Sequence, residues 1–230
     1  MRKVRQQLRV LGTAFVAVAF LVAAASIAGH LHGHGAADLL RDPLAVAGAP
    51  WYLGFLSNVG ILLWWPPAAV CATAAVMVTR IAGRSDDVDL LAAAAGVTAI
   101  LALDDLFQIH EHFQLPVYAL YVVLLAYCAR RFLTRVARTR WFTLAVAVSL
   151  LSGSVLVDVA TEHFGVEAFA AEDLLKLFGI VAWCVYFVRL SFRVVDTAAA
   201  SVRAEARAAQ LRRPAWLDAP IRGRSGAGVR

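Results

Sequence analysis

From Val10 to Gly29 the chain runs for twenty residues without a charged side chain. A helix needs about twenty mostly apolar residues to cross a bilayer core about 30 Å thick, and it satisfies all its own backbone groups there. Five further stretches are long and mostly apolar: Pro50 and Trp51 to about Thr79, Val88 to His112, Pro116 to about Phe132, the segment opening at Trp141, and Glu172 to about Phe192. Charged residues make up only 17% of the chain, against about 25% in an average soluble domain. These runs predict an all-α class, a polytopic membrane bundle of six transmembrane helices at residues 10–192. A basic tail at 1–9 precedes it, and an Ala/Arg-rich helix with a loose tail follows at 193–230.

A signal peptide competes for the first run, because Ala23-Ala24-Ala25-Ser26-Ile27-Ala28 offers small-residue cleavage sites. Signal-peptide apolar cores run about 7 to 15 residues, so the longer run favours a retained anchor. The net charge of +6 and pI of about 9.7 do not imply nucleic acid, because the basic residues sit in short clusters between apolar runs. The expected surroundings are the lipid bilayer of a bacterial inner (plasma) membrane, with homo-oligomerisation compatible and protein partners open. Lys and Arg number four in the N-terminal tail, two at Arg80 and Arg84, five from Arg130 to Arg140 and nine from Arg189 onward. These make 20 of the 22, and the positive-inside rule then places both termini in the cytoplasm. Cys71, Cys128 and Cys184 stand alone in apolar runs and read as core thiols.

Charge gathers at the end of the third segment, Leu101-Ala102-Leu103-Asp104-Asp105-Leu106-Phe107-Gln108-Ile109-His110-Glu111-His112. On an uninterrupted helix Asp104, Asp105, Gln108, Glu111 and His112 share an arc of about 120°, with His110 roughly opposite. Ser154, Asp158, Thr161 and Glu162 share an arc of about 100° on the fifth segment, and Glu172, Lys176, Gly179 and Trp183 align on the sixth. Asn58, Asp104, Asp105, Asp158 and Lys176 fall roughly 5 to 12 Å below the outer surface at 1.5 Å per residue. Charges at such depth are costly and mark function by default.

Carboxylates with imidazoles suit a divalent metal, namely zinc, manganese or iron. Asp104, Asp105, Glu111, His112, Asp158 and Glu162 are the ligand candidates, with Asn58, Gln108, His110, His163, Glu172, Asp173 and Lys176 as supporting polar groups. His30, His32 and His34 form a second, separate tract that could hold copper or zinc, or be a solvated loop. The expected function is an extracytoplasmic-side metal site that hydrolyses a lipid or small polar substrate. A zinc-bound water would be its nucleophile. The alternatives are a proton- or cation-conducting transport protein using the same carboxylates with Lys176, and a non-catalytic subunit with a structural polar core. Neither a zincin motif nor the Glu-x-x-His repeat of di-iron bundles is present.

Asp104-Asp105-Leu106-Phe107-Gln108-Ile109-His110-Glu111, with Glu172-Asp173-Leu174-Leu175-Lys176-Leu177-Phe178-Gly179-Ile180, resembles a pattern in uncharacterised bacterial multi-pass membrane proteins. That resemblance implies no activity, and it favours the pair His110 and Glu111. A looser resemblance is to the alkaline ceramidase and progestin-receptor superfamily of seven-helix, metal-dependent membrane hydrolases. It implies a metal near one membrane face, although six helices are expected here and the superfamily's paired histidine motif is missing.

Overall fold

The computed structural model describes residues 47–50, 53–139, 141–164 and 169–212, with part of the stretch 13–33; the side chains at 161–164 and 169–170 lie outside the described part. The chain divides into two compact units, Met1–Phe55 and Leu56–Arg230. In the first, described positions between Thr13 and Leu31 are helical. The expected tail at 1–9 lies outside the described residues, and the expected first span at 10–29 is described only in part.

The second unit is built of helices joined by short turns, with no strand among its described residues. Its elements are α1 (Phe55–Ala82), α2 (Asp86–Phe107), the single turn α3 (Ile109–His112), α4 (Gln114–Val136), α5 (Trp141–Phe164) and α6 (Phe169–Leu211). Five helices among the described residues, all but α3, are long and apolar enough to cross a membrane. They fit a multi-pass membrane protein.

Local chemistry sets the helix ends. Gly54 and Gly83, with φ of 69° and 82°, flank α1 in the left-handed region that glycine adopts without a Cβ clash. Ser85 caps α2, its hydroxyl accepting from the Val88 amide at 3.4 Å, and Asp86, Asp87 and Asp89 place negative charge at the helix's positive end. Pro66 and Pro67 lie inside α1 without ending it. α6 continues past the expected end near Phe192, because the Ala-rich stretch after Asp196 is strongly helix-forming. Its 43 residues extend about 64 Å, roughly twice a bilayer core, so one end must project beyond the lipid.

Small residues and buried polar pairs hold the bundle together. α5 and α6 pack most extensively, and a Cβ added at Gly179 would lie 2.8 Å from Leu151 Cγ and 3.1 Å from the Leu151 amide nitrogen. Gly179 is therefore what lets these helices approach, as small residues do in membranes. The Trp183 indole donates to the fully buried Thr98 hydroxyl at 3.0 Å, and Thr98 in turn donates to the Ala94 carbonyl at 2.6 Å. Cys71 and Ser191 meet at 3.3 Å, joining α1 to α6. At the Arg-rich end, Asp86 receives Arg131 at 3.0 Å and Arg135 at 2.9 Å, tying the start of α2 to the end of α4.

Candidate functional site

The polar groups gather at the other end of the unit, and a break in the helix arranges them. The α2 helix stops at Phe107, and Gln108 adopts φ 50° and ψ 43°, the one positive-φ non-glycine residue among the described positions. Its amide still donates to the Asp104 carbonyl, but the next turn, α3, sets off in a new direction. An uninterrupted helix would turn His110 away from Asp104. Instead the His110 amide donates to Asp104 Oδ1 at 2.8 Å, and His110 Nδ1 lies 2.9 Å from Asp104 Oδ2.

The break also divides the expected stripe. Asp104 is buried and Asp105 half-buried, whereas Gln108, Glu111 and His112 are exposed. His112 Nδ1 lies 3.2 Å from the Gln108 carbonyl oxygen. Glu111 Oε1 lies 3.7 Å from His110 Nε2, so His110 stands between a buried carboxylate and one whose side chain is 61% exposed.

Each aspartate in the cavity wall has its own donors. Asp104 receives the Tyr121 hydroxyl as well as His110. Asp105 receives the Lys176 ammonium on one oxygen and the Trp64 indole, at 3.1 Å, on the other. Asp158 receives the Tyr118 hydroxyl and, at 3.3 Å, the Gln114 side-chain amide. Lys176 thus pairs with Asp105, and Asp158 stands apart with donors from α4. Glu172 is half-buried in the same cavity, while Asp173 and Asn58 are exposed and do not line it.

The cavity measures about 330 Å³, within the range typical of small-molecule sites. Asp104, Asp105, His110, Asp158, Glu172 and Lys176 all line it. Tyr118 and Tyr121 line it too, and sequence reasoning passed over both. Their spacing, i and i+3 near a helix end, was the available signal, because a tyrosine in a membrane carries a hydroxyl that needs a partner.

The His110 pKa is raised above its usual 6.5, chiefly by the hydrogen bond to Asp104, which outweighs the opposing effect of burial. The carboxylate acceptor assigns the proton to Nδ1 in the neutral ring, leaving Nε2 as the acceptor of a further proton.

Among the described residues the donors do not gather as a metal centre would require. No three His, Cys, Asp or Glu side chains converge suitably among the described residues, because the carboxylates are occupied by Lys176, His110, tyrosines and Gln114. The side chains of Glu162 and His163 lie outside the described part, as do His32 and His34; His30 is exposed on a helix.

No curated protein and no solved structure matches the chain. A family model does match, over residues 13–190, which is most of the 230-residue chain and includes the whole cavity wall. The chain therefore belongs to the family described as a domain of unknown function, DUF8692.

Proposed function

We propose that the protein is a proton-conducting or proton-coupled transport protein of the bacterial inner membrane, with both termini cytoplasmic and the cavity near the extracytoplasmic surface. The observation that carries this reading is the position of His110, bonded to buried Asp104 on one side and 3.7 Å from exposed Glu111 on the other. A proton from the aqueous surface passes by way of Glu111 to His110 Nε2, forming an imidazolium that Asp104 stabilises. The same nitrogen then releases the proton to a group in the cavity, and the neutral ring is restored. Histidine suits this role because its charge changes near neutral pH.

Liposomes loaded with a pH-sensitive dye and driven by a potassium diffusion potential test the proposal. Proton entry should exceed that of protein-free vesicles and fall to their level in His110→Gln and Asp104→Asn. Equal rates in wild type and protein-free vesicles would remove the conduction reading.

A second reading, a divalent metal held at this face, rests on Asp158 and Glu162 standing one helical turn apart on α5. Stoichiometric zinc, manganese or iron in purified protein would support it, as would its loss in Asp158→Asn. Hydrolysis of a lipid or small polar substrate would follow only from that result.

A further inference from the structure

The polar cavity adjoins a second one of different character. This second cavity, of about 240 Å³, shares Val97, Leu125, Val148 and Trp183 with the first and is lined by apolar side chains and the Cys128 thiol. Along α4 the two are lined in succession from Tyr118 to Val136, a length of about 27 Å at 1.5 Å per residue. That is nearly the depth of a bilayer core. Polar groups stand at one end and hydrocarbon walls line the rest.

The side of this slot opens between α4 and α5. Those two helices are consecutive, yet they pack loosely together. Only 11% of each one's most apolar stretch is buried, against 39% in the other spanning helices. Val122 and Leu156 line the first cavity and are also 67% and 69% exposed, so the wall they form reaches the surface that faces lipid.

The charge at the polar end selects the head of a ligand. Four carboxyl groups line it with one lysine and one histidine, and these two bases are paired with Asp105 and Asp104. Asp158 and Glu172 have no basic side chain within ion-pair distance among the described residues. Such a chamber repels phosphate and carboxylate heads and attracts an ammonium, which the Tyr118 ring beside Asp158 also favours.

We propose that this slot binds a single-chain amphiphile with a cationic amine head, the head at Asp158 and Glu172 and the hydrocarbon chain running along α4 to the cavity beside Phe132. The inference rests on the reading that the cavity is the working site and names its ligand class. Entry is lateral, from the bilayer, between α4 and α5.

The test uses the full-length protein in phosphatidylcholine nanodiscs with hexadecylamine carrying a photoreactive diazirine at the end of its chain. Crosslinks should fall within residues 125–136 and 144–148. Unlabelled hexadecylamine should compete, while hexadecanoic acid and butylamine should not. Asp158→Asn should weaken labelling about tenfold, the effect of one charge-assisted hydrogen bond. Ala93→Phe and Ala129→Phe, each filling the apolar cavity from a different helix, should move the crosslinks out of 125–136. Competition by hexadecanoic acid equal to that by hexadecylamine would overturn the choice of head. Crosslinks confined to Val123 and Phe142, which are exposed and outside both cavities, would overturn the slot itself. Labelling that persists in His110→Gln while proton entry is lost separates ligand binding from the proton pathway. Proton entry without specific labelling would remove this inference alone.

Discussion

His110 bonds Asp104 twice, by its amide at 2.8 Å and by its ring at 2.9 Å, across a helix break at Gln108. The carboxylate therefore does two jobs. It satisfies an amide at the start of α3, which lacks a partner within the turn, and it fixes the imidazole. Asp104→Asn should leave the helices in place and free the ring.

That substitution has a defined effect on titration. The groups acting on His110 are Asp104 from α2, Glu111 from its own turn and Lys176 from α6, with Tyr118 of α4 stacked beside the ring. Asp104 holds the His110 pKa above 6.5, and burial opposes it. In Asp104→Asn the pKa should fall, read by nitrogen NMR of the histidine side chain. A raised folded-state pKa stabilises the fold fully below the unfolded value and loses that contribution as pH rises through the folded value. Wild-type melting temperature should thus decline as pH climbs from 6.5 through the His110 pKa, and Asp104→Asn should flatten the decline.

Gln108 sits in the left-handed region at a cost of about 1 kcal/mol for a residue with a side chain. Gln108→Gly should relieve that strain while adding chain entropy, leaving stability within about 1 kcal/mol of wild type. Gln108→Val should cost about 2 kcal/mol and lower proton entry, because a β-branched residue resists this geometry and His110 would swing away from Asp104. Thermal denaturation in detergent and the liposome assay read the two effects.

The helices and their apolar spans were legible in the sequence because hydrophobic runs of this length have few other folds open to them. Asp104, Asp105, Asp158 and Lys176 were legible as a set because charge within an apolar helix needs a reason, and they line one cavity. The partner choices were not. A wheel drawn at 100° per residue assumes no break, and Gln108 carries no glycine or proline to announce one, so His110 looked misplaced while Glu111 and His112 looked central. Lys176 could reach either aspartate on spacing alone. Its choice of Asp105 depends on how α2 and α6 meet, and the indole of Trp64 on α1 completes that pair. Continuous α6 was hidden by the change from apolar to Ala/Arg composition, which marks where a bilayer ends and not where a helix does.

Packing at Gly179 gives a check on the α5 and α6 contact. Gly179→Ala places a methyl within 2.9 Å of two Leu151 side-chain carbons and 3.1 Å of the backbone nitrogen, which cannot rotate away. The helices must separate slightly, at about 1 to 3 kcal/mol. Gly153→Ala, whose added carbon would meet Leu175 at 3.6 Å, should be close to neutral. Melting temperatures of the two variants compare them directly.

Orientation follows from labelling. In a cysteine-free background, a membrane-impermeant thiol reagent should modify cysteine at Gln114 in intact cells and leave cysteine at Ser85 and Thr139 unmodified. The reverse pattern would put the cavity on the cytoplasmic side and reverse the direction of the proposed proton entry.

Lys176 and Asp105 provide the sharpest energetic test, because both are largely buried and each leaves a distinct orphan. Lys176→Met removes the ammonium and strands the Asp105 carboxylate with only the Trp64 indole as donor, at a cost of about 3 kcal/mol. Asp105→Asn strands the lysine instead, and its amide oxygen can still accept from Trp64, so the loss should be similar or smaller. The double variant Asp105→Asn with Lys176→Met leaves no unpaired charge and should recover most of the stability, giving a coupling of about 2 to 3 kcal/mol. Asp158→Asn with Lys176→Met should recover little, since Asp158 takes its donors from Tyr118 and Gln114. Recovery by Asp158→Asn in place of Asp105→Asn would mean that the lysine serves the α5 carboxylate in the working protein.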